Sequence, residues 1–114
     1  MLARRLLTEN EQKRLGSLND LCSKEDEVLL RFSLKEAVYK AIHPFLLRPV
    51  GFMEVEVDPN IDGTATLTFL LKGGEKFEYT ASWQRFKEKY WLTCVYIVPK
   101  EQQQGVREEW YIGV

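Results

Sequence analysis

The chain has a single histidine, His43, so no histidine-based metal cluster or catalytic dyad can be assembled within one copy. Beside Pro44 that histidine reads as a cap for the helix end, where the dipole favours positive charge, rather than as a base. Cys22 and Cys94 lie far apart, form no Cys-x-x-Cys pair and read as free, packed thiols of a reducing compartment. No apolar run approaches the ~20 residues needed to span a bilayer. Met1-Leu2-Ala3-Arg4-Arg5 lacks the charged-then-apolar order of a secretion signal. A cytoplasmic protein without membrane contact is the expectation. An excess of charge is also lacking. Sixteen basic against seventeen acidic residues leave a net charge of -1, which argues against nucleic acid as a partner. Gly73-Gly74 sits between two strand-like runs and reads as a turn, so no glycine-rich phosphate loop is present.

What remains is the composition of an ordinary globular domain, 45% hydrophobic and 29% charged over 114 residues, enough for one modest core. Thr8-Glu9-Asn10-Glu11 is a capping box that opens a short helix ending near Leu15-Gly16. Ser23 caps a longer helix, with Glu25, Asp26 and Glu27 in its positive first turn. Pro44 disfavours helical geometry at His43, which predicts a stop near Ile42. Four strands follow, over residues 52–57, 64–71, 77–83 and 90–98, with Gly73-Gly74 as a hairpin signal. The expected fold is α+β, two helices packed on a four-stranded antiparallel sheet. Residues 1–98 form the domain and residues 99–114 a C-terminal tail, flexible or docked through Trp110 and Tyr111.

The long helix carries the chemistry. At about 100° per residue, Leu30, Leu34, Ala37, Val38 and Ala41 gather on one side, assigned to the sheet. Val28, Leu29, Phe32 and Tyr39 form a second apolar cluster, which calls for a second partner: a domain, another copy of the chain or a ligand. Glu36 lies within that cluster and Lys40 one turn further on. By themselves the two residues read as a surface ion pair worth ~0.3–0.5 kcal/mol. Arg85, Lys87 and Lys89 make a small basic cluster at a hairpin end, a solvated turn or a contact for an acidic helix. Trp83, Tyr90 and Trp91 read as sheet core.

Phe32-Ser33-Leu34-Lys35-Glu36-Ala37-Val38-Tyr39-Lys40, read as F-S-x-K-E-A-x-x-K, resembles the signature helix of the 4'-phosphopantetheinyl transferases. The Leu7-Thr8-Glu9-Asn10-Glu11 helix start, Ala41, Pro44, Gly51-Phe52 and the Trp83 to Tyr96 block look like the C-terminal half of the enterobactin- and surfactin-type group. The resemblance covers roughly Leu6 to Val98. It implies a fold like one half of that family's and a reaction that moves 4'-phosphopantetheine from coenzyme A to a serine of an acyl or peptidyl carrier protein, with Mg²⁺ as cofactor. It further implies Glu36 as magnesium ligand and base for the serine, and Lys40, then Lys35, as contacts for the coenzyme A phosphates.

The family takes further magnesium ligands from an Asp-x-Glu, or a lone Asp, on an upstream strand. The residues before Glu36 contain no such strand. A complete site is therefore expected to need a second half-domain or a second copy of the chain, and the isolated chain to be weakly active or inactive. The other class of function is a non-catalytic module that dimerises or docks a carrier protein through the Val28, Phe32 and Tyr39 face.

Overall fold

A computed structural model describes residues 2–100 and 109–113. Three helices precede the strands, one more than expected: α1 (Leu2–Leu6), α2 (Glu9–Lys13) and α3 (Lys24–Leu46). The capping box forms. The Thr8 hydroxyl accepts the Glu11 N–H at 3.1 Å, and the Thr8 N–H donates to Glu11 Oε1 at 2.9 Å. Ser23 caps α3 by accepting the Asp26 N–H at 3.1 Å.

Helix α3 runs past the expected stop and holds Pro44 inside it. A proline within a helix loses one backbone bond. Here the ladder resumes at once, because the Leu47 N–H reaches His43 O at 2.9 Å with Leu47 in the left-handed region that ends the helix (φ 53°).

The strands are β1 (Val55–Pro59), β2 (Ala65–Phe69), β3 (Phe77–Phe86), β4 (Tyr90–Pro99) and β5 (Glu109–Gly113). They do not form the expected four-stranded sheet. β1 and β2 pair antiparallel with Val57 opposite Leu67, and a separate sheet has the order β3-β4-β5, all antiparallel. The two sheets touch through one backbone bridge, Thr64 to Ser82. Beyond it the Tyr79 hydroxyl accepts the Leu67 N–H at 3.0 Å, taking a bond that a continuous ladder would have used. The rings of Phe69, Phe77 and Tyr79 fill the opening, with centroids 5.4 and 6.0 Å apart. Aromatic bulk thus splays a hairpin that residue pattern alone reads as continuous. The polar break expected at 84–89 is shorter: Lys87 and Glu88, at φ 52° and 57°, make a tight turn of the hand that suits a twisted hairpin. Within the stretch set apart as a tail, Glu109–Gly113 pairs as a strand with β4, Cys94 opposite Ile112.

The core lies where α3 crosses the sheets. Leu30, Leu34, Ala37, Val38 and Ala41 are buried as their spacing predicts, against Val55, Val57, Leu67, Ala81, Val95 and Ile97. The second apolar cluster finds its partner within the chain: Ala3, Leu6 and Leu7 bury Val28 and pack on Phe32 and Phe52. Leu29 of the same cluster stays half exposed. Cys22 and Cys94 are free thiols, and no helix among the described residues is long and apolar enough to cross a membrane.

Burial sets the cost of truncation. Leu34→Ala, at a fully buried position, should lower the unfolding free energy by about 2–5 kcal/mol in urea denaturation. Leu29→Ala, more than one turn earlier and half exposed, should change it by less than about 0.5 kcal/mol.

Candidate functional site

Lys35, Glu36 and Lys40 stand on the middle of α3, and the helical turn of about 100° per residue separates them sharply. Lys35 points inward and is fully buried. Its ammonium lies 2.7 Å from Glu11 Oε1, an ion pair with both side chains at 0% exposure, and also donates to the carbonyl of Phe52. Burial pushes the Lys35 amine below the ordinary lysine range, and the hydrogen bond and charge of Glu11 oppose that shift. Glu36, about 100° further round the helix, and Lys40 are exposed. They form no ion pair with each other, and among the described residues neither is held by another side chain, so the surface-pair reading does not apply.

From sequence Glu11 reads only as a helix cap. In the structure it is a buried hub: besides Lys35 it accepts the Thr8 N–H and, through Oε2, the Val57 N–H at 2.8 Å. A second buried pair lies one turn earlier on α3. Arg31 binds Glu27 at 3.1 Å and, through Nη1, Asp58 at 2.8 Å and the Val57 carbonyl at 2.7 Å. Glu27, which sequence places as a favourable charge in the first turn, also accepts the N–H groups of Gly16 and Leu18. Arg14 joins this cluster from the end of α2 by bonding Asp58 and Glu56. Removing one partner of such a buried pair leaves an uncompensated charge and costs about 3–5 kcal/mol.

The Glu36 surroundings are shaped by aromatic rings and one short loop. Phe52 packs between Phe32 and Tyr39, with centroids 5.9 and 5.6 Å away. Those two residues stand four before and three after Glu36, so the three rings form a wall beside it. The segment carrying Phe52 is fixed at several points. The Tyr39 hydroxyl donates to Gly51 O at 3.1 Å, and Lys35 holds Phe52 O. Glu54 closes the turn by accepting the N–H groups of Gly51 at 2.9 Å and Lys72 at 3.2 Å, with Arg48 beside it. Burial pushes the Tyr39 phenol up, so it stays a neutral donor.

Lys40, His43, Tyr39 and Pro44 line a shallow depression of about 430 Å³ on the same stripe. His43, expected at the helix end, therefore adds a second nitrogen group next to Lys40. A larger hollow of about 590 Å³ between Phe45, Phe77 and the Gly73-Gly74 turn contains none of the predicted residues. The basic cluster at the β3–β4 turn is divided. Arg85 stacks on Trp91, 4.2 Å from the ring centre, and pairs with Asp26 at 3.1 Å, while Lys87 and Lys89 are exposed. Trp91 is core, whereas Tyr90 is half exposed.

Magnesium suits hard oxygen donors and is commonly held by one or two carboxylates together with substrate phosphates and waters. Glu36 fits as one such ligand, being a carboxylate open to solvent and uncommitted among the described residues. Among those residues no group of three or more His, Cys, Asp or Glu side chains could hold a metal ion.

The Gly51 to Glu54 turn has a pH signature. The N–H groups of Gly51 and then Lys72, with Arg48, hold the Glu54 carboxyl below its ordinary value of 4.5. A depressed carboxyl contributes stability that is present above the unfolded value and lost as pH falls through the folded one. The urea midpoint of the wild-type chain should therefore fall as pH drops below about 4.5, and Glu54→Gln should flatten that part of the profile.

Comparison with known proteins adds one finding. The family model of the 4'-phosphopantetheinyl transferase superfamily matches residues 1–95. No curated protein and no solved structure matches the chain.

Proposed function

The chain belongs to the 4'-phosphopantetheinyl transferase superfamily, and we propose from that membership that it transfers 4'-phosphopantetheine from coenzyme A to a serine of an acyl or peptidyl carrier protein. The observation that carries the reading is the solvent-facing pair on α3. Glu36 and Lys40 project from one rigid helix, free of each other, beside the ring wall of Phe32, Phe52 and Tyr39.

In this reading Glu36 would hold magnesium when it is bound, and the same carboxylate accepts the proton of the carrier serine. Lys40, with His43 in the same depression, binds the phosphates of coenzyme A. The serine oxygen forms a bond to the β-phosphorus while the bond from that phosphorus to the bridging oxygen breaks. The leaving 3',5'-ADP takes the electron pair, and the serine proton passes to the Glu36 carboxylate. Magnesium, when bound, offsets the charge of the pyrophosphate.

Lys35 is reassigned. In this reading its burial against Glu11 suits a residue that positions others rather than one that meets a phosphate. The remaining metal ligands belong, in this reading, to a second half-domain or a second copy of the chain. The docking-module alternative draws less support, because α1 and Phe52 cover most of the Val28, Phe32 and Tyr39 face and leave Leu29 as its exposed part.

The test is transfer of a fluorescent coenzyme A analogue onto an apo carrier protein with Mg²⁺. Glu36→Gln should lower kcat by about 10²–10⁴-fold, the range for losing a positioned base, at unchanged thermal stability. Lys40→Met should raise KM for the analogue about tenfold, with a smaller change in kcat. Equal and measurable transfer by wild type and Glu36→Gln, with a second half supplied where the isolated chain is inactive, would overturn the assignment.

A further inference from the structure

The buried Glu11–Lys35 ion pair ties the helix that carries the exposed Glu36 and Lys40 to two other elements. Lys35 is the residue before Glu36 in the chain. Its ammonium bonds two groups from different elements: the Glu11 carboxylate from α2 and the backbone carbonyl of Phe52 from the turn before β1. Phe52 is the ring that Phe32 and Tyr39 hold between them. Glu11 in turn is fixed by the N–H groups of Thr8 and Val57, so it cannot follow a moving lysine. Rotation of α3 about its axis, or withdrawal of the Gly51–Glu54 turn, would break one of these bonds inside a region closed to water.

We propose that Glu11 and Lys35 act together as positioning residues for the transferase site, clamping the Phe52 carbonyl so that the ring wall and Glu36 keep one fixed relation. This rests on the transferase reading of Glu36. Neither residue touches substrate in this arrangement, since both side chains are fully buried. The two lysines of the motif thereby take different roles: Lys40 binds, and Lys35 holds the binding surface in place.

The obvious variants, Lys35→Met or Glu11→Gln alone, strand a buried charge and risk unfolding. The double variant E11Q/K35M removes both charges together, at nearly constant volume, and is the informative protein. Lys35→Arg is a second variant that keeps the charge but cannot reproduce the contact to the Phe52 carbonyl without displacement. Three readouts apply to each: thermal unfolding, amide hydrogen exchange of residues 51–54, and kcat and KM for the fluorescent coenzyme A analogue with Mg²⁺.

The expectation for a folded E11Q/K35M protein is exchange at residues 51–54 faster by about tenfold or more. Its kcat should be about tenfold or more lower, with KM for the analogue within about twofold. Lys35→Arg should show the same pattern in weaker form. A rise in KM with kcat unchanged would overturn the proposal and make Lys35 a phosphate contact. Faster exchange with both kinetic constants unchanged would overturn it as well, leaving the clamp a purely structural feature. If the wild-type chain shows no transfer under any pairing with a second half, the transferase reading fails separately. Exchange then decides the clamp: unaltered protection in the double variant shows that the pair does not hold the turn.

Discussion

The ion pair between Glu11 and Lys35 is a fully buried charge contact between α2 and α3, and Glu11 also holds β1 through the Val57 N–H. Taking two charges out of water is costly, and the cost is offset only when geometry is close and the remaining polar atoms are satisfied. Both conditions hold. The pair spans 2.7 Å, and the carboxylate also accepts two backbone N–H groups, those of Thr8 and Val57. An apolar contact would tolerate small slides of one element over another. A buried charge does not, because each displaced bond leaves a polar group without water or partner. The neighbouring cluster of Glu27, Arg31 and Asp58 extends the same constraint to the loop before α3 and to β1.

That constraint accounts for how differently three charged residues of one helix behave. Lys35 and Glu36 are adjacent in sequence, yet one is fully buried and the other exposed. The inward lysine leaves the outward glutamate no freedom to turn in and replace it. A carboxylate and an ammonium held on a rigid element, next to a wall of three rings, suit recognition of a phosphate and its counter-ion better than a loop would.

Much of this is legible in the residues, and the parts that are not share a cause. The capping box, the start of α3, its sheet-facing stripe and the position of β4 follow from spacing within a few residues. A family motif singles out Glu36 and Lys40, while spacing alone puts Glu36 inside an apolar cluster; both residues are exposed. What cannot be read depends on partners distant in sequence. Lys35 reads as a lysine free to meet a phosphate because Glu11, its counter-charge, belongs to another helix. Helix α1 gives no signal because five residues carry too little periodicity, and its stability comes from Ala3, Leu6 and Leu7 packing on Val28. The expected sheet divides because one tyrosine hydroxyl takes a backbone N–H and three rings occupy the space between β2 and β3.

The same physics limits what the exposed face of α3 can meet. With Val28 and Phe32 largely covered from within, the exposed stripe of α3 consists of Leu29, Glu36, Lys40 and His43, mixed in character and poor in apolar area. A partner that met it through hydrophobic burial alone would have to desolvate Glu36 and Lys40 at a cost no small apolar patch could offset. A partner bringing carboxylates with a metal ion, and a ligand bringing phosphates, would instead satisfy both charges. The face that this chain presents is therefore better matched to a charged, ligand-filled junction than to a dry interface.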